Sequence, residues 1–174
     1  TDAKNALVEA DGDFDKALEA MRKKGLTKAE KRGDRETREG VIDSYIHDGR
    51  IGAIVEVNCE TSFVAKTDEF KDLAHKIAMQ VASMNPLYVS AEDIPEEARA
   101  AKQKELEANF KGPENMKEQI LAGQIKKAFA DKILLDQPYI LDDSKTVAEF
   151  VKDNIAKTGE NISIKQFKRI ELGV

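Results

Sequence analysis

An enzyme hypothesis for this sequence rests on its one cysteine, with one of its two histidines as the base. Cys59 could serve as a nucleophile if a histidine lay close enough to take its proton. The turn signal Asp48-Gly49 predicts a β-hairpin with His47 at the turn and Cys59 at the open end, about 25–30 Å apart at about 3.3 Å per residue. His75 falls on the polar side of a predicted helix. We therefore interpret Cys59 as a structural thiol in the core, and a thiol enzyme is the most distant alternative.

A second feature is the aromatic side chain in the segment VEVNCETSFVAK, residues 55–66. Alternate apolar residues predict a buried strand that ends at Cys59, and a polar turn follows before Phe63 and Val64. Two interpretations are open. These two side chains could fold back and seal the end of the core, or Phe63 could stand exposed on a short connection as an anchor for a partner protein.

The sequence contains no other motif for catalysis or cofactor binding. The glycine-rich loops GxGxxG and GxxxxGK[ST] are absent, so direct nucleotide binding is not expected. One cysteine and two histidines are too few for a four-ligand zinc site, and we expect neither a metal nor a cofactor. A single cysteine also excludes an internal disulfide and indicates a reducing compartment.

The charge balance does not indicate a nucleic-acid binder. The 174 residues carry 28 basic and 33 acidic side chains, a net charge of −5. Residues 22–38 depart from this with eight basic and three acidic side chains, but they offer no aromatic ring for stacking on bases. We interpret this stretch as a solvated linker or helix face. No apolar run reaches membrane-spanning length and no signal peptide is visible, so we expect no membrane contact.

The first residues predict a small helical module. A cap at Asp13 and a stop at Gly25 bound a helix. Its apolar stripe comprises Phe14, Ala17, Leu18 and Met21. Because so short a module cannot form a core of its own, we predict a helical module over 1–26, a charged linker over 27–39 and an α+β core, which also carries the dimer contacts, over 40–174.

The core is predicted to combine about three antiparallel strands with helices. The Asp48-Gly49 turn would pair residue 46 with 51 and residue 42 with 55, which puts Ile42 and Ile46 on the buried face. Alternating apolar residues over 161–172 predict a third strand. Helical patterns cover 68–84, 95–132 with a break at 111–113, and 146–157. Few strands interleaved with helices and a helical hairpin indicate an α+β fold.

The segment VEVNCETSFVAKTDEF resembles the signature of the elongation factor Ts family, the guanine-nucleotide exchange factors for elongation factor Tu. The segments AKNALVEADGDFDKALEAMRKKG, REGVIDSYIHDGRIGAIVEVNCETSFVA and GENISIKQFKRIELG are similar to the family's N-terminal module, first core strands and closing strand. The length is similar to the short form of the family, with one core subdomain. The resemblance implies a ubiquitin-associated-like fold for residues 1–26, with the beginning of that module missing.

The resemblance also implies that the protein binds elongation factor Tu and promotes release of its GDP without covalent chemistry, so that it is no enzyme. Phe63 would wedge between Tu side chains near the Mg²⁺ and phosphate site. The expected Tu contacts of the signature loop are Asn58, Glu60, Thr61, Ser62, Phe63 and Val64, and those of the N-terminal module are Asp2, Lys4 and Asn5. A homodimer is implied, in the bacterial cytoplasm or in a plastid or mitochondrion.

Two positions depart from the family pattern. Ser62 stands where the family usually has aspartate, which removes a carboxylate near the Mg²⁺ region. Phe167-Lys168-Arg169 stands where some short-form members have a cysteine that links the dimer, so a covalent dimer of that kind is excluded. The alternative from another class is a ribosome- or RNA-associated scaffold that uses the helical module and the basic stretch 22–38 and leaves Tu unaffected.

Overall fold

The computed structural model describes residues 2–174, without the side chains of Asp2, Arg22, Leu26, Glu30 and Glu114. Over this range the α-helices are α1 Asp2–Glu9, α2 Phe14–Glu30, α3 Ser62–Ala65, α4 Asp68–Met84, α5 Glu96–Ala108, α6 Lys117–Phe129 and α7 Val147–Thr158. The strands are β1 Glu39–His47, β2 Ile51–Cys59, β3 Pro138–Tyr139, β4 Asp142–Thr146 and β5 Ile162–Glu171. This mixture of helices and strands confirms the predicted α+β class.

The main sheet has three antiparallel strands in the order β1-β2-β5. The hairpin and the closing strand were both expected from the sequence. A second, two-stranded sheet of β3 and β4 was not predicted. The reason is its size, since β3 has two residues and cannot show the alternation that marks a strand.

The predicted register of the hairpin is wrong by one residue. The structure pairs His47 with Ile51 and Ile46 with Gly52, so three residues separate the strands instead of two. Asp48 and Gly49 both adopt positive φ, at 49° and 66°, and the Arg50 N–H donates to the His47 carbonyl at 2.9 Å. The turn signal was therefore correct. One additional residue, Arg50, lies in the loop and shifts every pair.

The shift exchanges the two faces of β1, because side chains alternate along a strand. Ile42 and Ile46, predicted to be buried, are 70% and 68% exposed. Val41 and Tyr45 instead face the core beside the buried Val55 of β2. The outer face of the sheet thereby acquires isoleucines that the sequence pattern had assigned to the core.

The inner face of the sheet packs against α4, which supplies the centre of the core. Phe70, Leu73, Ile77 and Val81 of this helix are fully buried among the β2 side chains. The predicted ends of the helix are confirmed: Thr67 Oγ1 accepts the Phe70 N–H at 3.2 Å, and Asn85 closes the helix in a left-handed conformation directly before Pro86.

A buried amide on α4 ties the helix to the chain that follows the helical hairpin. Gln80 Nε2 donates to Gln137 Oε1 and to the Pro138 carbonyl, both at 3.1 Å. Gln80 Oε1 accepts the Ile140 N–H at 2.9 Å. Gln80 and Gln137 are both fully buried, and their amide groups find their partners in each other and in the backbone.

The prediction that Gly25 ends the second helix is wrong. The helix α2 continues five residues further, to Glu30, and Gly25 lies inside it against α7. A Cβ atom on Gly25 would be 3.2 Å from Cβ of Ala156, so the glycine allows the two helices to approach closely. Ala29 at the end of α2 belongs to the main core. The boundary between the helical module and the charged linker, at residues 26 and 27, stays a prediction. The helix α2 continues across that boundary.

The predicted helical hairpin is present as α5 and α6. The break expected at 111–113 separates Ala108, the end of α5, from Lys117, the start of α6. At the base of the hairpin, a second apolar cluster is formed by Ile94, Phe129 and Ile133, with the Tyr88 ring packed on it. This cluster is separate from the main core. It packs the base of the helical hairpin against the neighbouring connections of the chain.

Candidate functional site

Phe63 lies on the one-turn helix α3, between the end of β2 and the start of α4. Its side chain is 87% exposed. The turn is held on both sides: Thr61 Oγ1 accepts the Val64 N–H at 3.4 Å, and Thr67 Oγ1 donates to the Val64 carbonyl at 2.8 Å. The aromatic ring is therefore presented to solvent by a backbone whose two ends are capped.

The structure separates the two interpretations left open for Phe63 and Val64. Val64 is half-buried and packs against the main core, and Ala65 after it is buried. Phe63 points away from this contact. Val64 and Ala65 thus close the end of the core, while the Phe63 ring stays exposed to solvent.

A carboxylate from the far end of the chain binds the start of α3. Glu160 Oε2 accepts the Thr61 N–H at 3.0 Å, and Glu160 Oε1 accepts the Thr61 hydroxyl at 2.5 Å. The neighbouring residues form the reciprocal contact, in which Glu60 Oε1 accepts the Asn161 N–H at 2.6 Å. We call these four residues, Glu60, Thr61, Glu160 and Asn161, the crossed clamp. No local pattern in the sequence indicated it.

Cys59 is a core residue, as expected. It is fully buried and its thiol donates to the Thr61 carbonyl at 3.2 Å. Burial raises the pKa of this thiol, and the nearby Glu160 carboxylate raises it further. The protonated thiol is a weak nucleophile and a hydrogen-bond donor, so it stabilises the turn before α3.

The two histidines are engaged by β1. His47 Nδ1 is 3.1 Å from the Tyr45 hydroxyl, and His75 Nδ1 is 3.3 Å from Asp43 Oδ2. Neither contact involves Cys59, whose hydrogen-bond partner is a carbonyl. Among the described residues, no group of three or more His, Cys, Asp and Glu side chains is placed to hold a metal ion. In the same part of the chain, no helix is long and apolar enough to cross a membrane.

The other predicted loop residues have different surroundings. Ser62 is exposed beside Phe63, whereas Glu60 is engaged in the crossed clamp and lies 3.5 Å from an Arg35 guanidinium nitrogen. Asn58 lines a separate cavity of about 710 Å³ with Thr37, and its Oδ1 atom is buried with no hydrogen-bond partner among the described residues. The structure therefore puts Ser62 and Phe63 on the open surface and Asn58 behind it.

The predicted contacts of the N-terminal module are only partly described. Lys4 and Asn5 are exposed on α1, while the side chain of Asp2 lies outside the described residues. The predicted apolar stripe of α2 is buried only at Ala17, since Phe14 is 71% exposed and Leu18 and Met21 are also exposed. Val8 of α1 is also exposed, so this module carries several exposed apolar side chains for which the sequence indicated no role in binding.

The outer face of the main sheet is a second unassigned apolar surface. Ile46 pairs across Gly52 with Ile170, and each of these isoleucines is more than two-thirds exposed, at 68% and 74%. Ile42 and Ile54 continue the surface and line a small groove. This apolar face could not be predicted, because the register expected from the sequence puts Ile42 and Ile46 in the core.

This chain is similar to known proteins over almost its whole length. The family described as Elongation factor TS matches residues 26–174. Elongation factor Ts of Thermotoga maritima is 50% identical over 174 residues, covering 99% of this chain and 87% of that protein. The Moorella thermoacetica protein of the same name is 48% identical over 176 residues, with 99% and 87% covered. That of Gloeothece citriformis is 53% identical over 178 residues, with 99% and 62% covered.

Proposed function

This chain belongs to the elongation factor Ts family, and from that premise we propose that it is the guanine-nucleotide exchange factor of elongation factor Tu. It acts in translation elongation, by binding Tu and promoting release of GDP. The observation that carries the proposal is the exposed Phe63 on a capped turn. An aromatic side chain on a rigid support loses little conformational entropy on binding and buries a large apolar area.

The exchange follows from linkage between two binding equilibria. The protein binds Tu more tightly in the state that holds GDP and Mg²⁺ weakly, so its binding shifts Tu toward that state. By reciprocity, nucleotide weakens the binding of this protein to the same extent. Phe63 acts as the wedge that is compatible only with the weakly binding state. No covalent step is needed, and the chain is not an enzyme.

The test is release of a fluorescent GDP analogue from purified Tu, with and without this protein. We expect the rate of release to rise with the concentration of added protein and to saturate. A release rate that stays at the rate of Tu alone contradicts the proposal. Tight RNA binding with a steep salt dependence in that case supports the scaffold alternative instead.

We propose that the exposed apolar side chains of the N-terminal module, Val8, Phe14 and Leu18, contact Tu in addition to Lys4 and Asn5. Leu18→Ala is expected to weaken Tu binding about fivefold, which is about 1 kcal/mol, because an apolar contact with Tu is lost. Leu18 is exposed, so the folding stability is expected to change little. Isothermal titration with nucleotide-free Tu measures the affinity. Leu141→Ala, an exposed leucine between β3 and β4, is the matched control. Equal affinities of the two variants contradict the proposed contact.

We also propose that two copies of the chain associate through the outer sheet face. A twofold dimer would cover the isoleucine surface of each copy with that of the other. Ile46→Ala is then expected to raise the dimer dissociation constant about tenfold, since the contact is lost in both copies. Sedimentation equilibrium gives that constant, with Leu141→Ala as the control. A wild-type protein that sediments as a monomer at micromolar concentration excludes this dimer.

The bacterial cytoplasm is the location that we propose, since the relatives compared above are bacterial translation factors. The single cysteine is compatible with that reducing compartment.

A further inference from the structure

The crossed clamp joins two segments that are about one hundred residues apart in the chain. Both carboxylate oxygens of Glu160 are used at Thr61, one for the backbone N–H at 3.0 Å and one for the hydroxyl at 2.5 Å. Hydrogen bonds to an ionised carboxylate are about twice as strong as neutral ones. The start of α3 is therefore fixed to the start of β5 by two strong bonds from one side chain.

The position of Glu160 is itself fixed by the end of α7. Gly159 closes that helix with φ of 79°, a left-handed conformation that favours glycine. Thr158 Oγ1 then accepts the Glu160 N–H at 3.3 Å. The backbone of Glu160 is thus held at the end of α7. The Glu160 carboxylate in turn restricts the movement of Thr61.

Thr61 connects the clamp to the wedge residue. Its hydroxyl donates to Glu160 and accepts the Val64 N–H that closes the turn containing Phe63. Without Glu160, the Thr61 N–H and the Thr61 hydroxyl hydrogen both lose their acceptor, and of these contacts only the weaker one, from the Val64 N–H at 3.4 Å, remains to hold Thr61. The one-turn helix α3 is too short to be stable without its ends held.

We propose that Glu160 is a positioning residue for nucleotide exchange, which holds Phe63 in its binding conformation by clamping Thr61. This inference rests on the proposed function. Glu160 acts through the loop and does not itself need to touch Tu. A binding loop that is ordered in advance pays less conformational entropy when the partner binds, so removing the clamp lowers the exchange activity even though every residue of the loop remains.

The experiment compares GDP release from Tu promoted by four proteins: wild type, Glu160→Ala, Phe63→Ala and the double variant. We expect Glu160→Ala to lower kcat/KM about tenfold in the wild-type background and less than about twofold in the Phe63→Ala background, because the clamp acts through that ring. Glu69→Ala, which removes a charge of the same sign from the exposed first turn of α4, is the control and is expected to keep wild-type activity. An equal loss in both backgrounds, or no loss, overturns the proposal.

A second measurement is independent of Tu. Amide hydrogen exchange at Thr61 and Val64 is expected to be at least about tenfold faster in Glu160→Ala, while the β2 amides keep their wild-type rates. Unchanged exchange at these two amides overturns the positioning role. If the wild-type protein does not accelerate GDP release, the proposed function fails, and these amides still decide whether the clamp orders the loop. Glu160→Gln, which keeps the side-chain volume, serves both experiments if the alanine variant does not fold.

Discussion

Phe63→Ala is expected to lower kcat/KM for GDP release from elongation factor Tu about 30-fold, which corresponds to about 2 kcal/mol of lost binding energy. The ring is 87% exposed in the free protein, so its energy is realised only in the complex. For the same reason the free energy of unfolding is expected to change by no more than about 0.5 kcal/mol. Release of the fluorescent GDP analogue from Tu measures kcat/KM, and urea unfolding measures the free energy of unfolding.

The matched control for this variant is Leu87→Ala. Leu87 is also an exposed apolar residue, but it follows the far end of α4, about 25 Å away at about 1.5 Å per helical residue. We expect this variant to exchange nucleotide at the wild-type rate. A Phe63→Ala protein that does the same would show that Phe63 is not the wedge. A large loss of folding stability would show that the ring packs within this chain.

Gln137→Met is expected to lower the free energy of unfolding by about 3 kcal/mol, because it leaves several buried polar groups without their partner. Gln137 Nε2 donates to the Asp131 carbonyl at 2.7 Å and to the Met84 carbonyl at 3.2 Å, and Gln137 Oε1 accepts from Gln80. Methionine has nearly the same shape and none of these groups. Thermal and urea unfolding followed by circular dichroism give the change in stability.

Gln124→Met provides the control, since Gln124 is exposed on α6. It is expected to change stability by less than about 0.5 kcal/mol. Replacing Gln80 and Gln137 together with methionine is expected to be less destabilising than the sum of the single changes, because each single change already breaks the bond that the two amides share. Additive losses in the double variant are incompatible with a direct bond between the two side chains.

The helices were the most predictable part of the fold. The helix α4 begins after Thr67 and ends before Pro86, as its cap, its apolar stripe and the proline indicated. Such signals are local, because a cap or a stripe involves residues within a few turns of one another. Gly25 shows the limit of local signals. A glycine that would end an isolated helix is retained inside α2 because α7 packs against it.

The hairpin shows a different limit. The Asp48-Gly49 turn was correctly located, but the sequence did not reveal that Arg50 belongs to the loop. One residue more in the turn exchanges the faces of a strand, and both faces of β1 carry apolar side chains that could fill a core. The two-residue turn predicts that Ile42 and Ile46 are buried, whereas α4 packs against the opposite face, which carries Val41 and Tyr45.

For the site, local sequence signals locate Phe63 in the short connection between a strand that ends at Cys59 and a helix capped by Thr67. The resemblance to elongation factor Ts then attached a function to that aromatic residue, and the comparisons confirm the family. Only contacts between distant segments establish that Phe63 is exposed while Val64 packs inward, and that Glu160 binds Thr61 at the start of the turn that carries them. The difference lies in how far apart along the chain the interacting residues are. Caps, turns and stripes are encoded by neighbouring residues, whereas a contact between Thr61 and Glu160 exists only after β2 and β5 have paired.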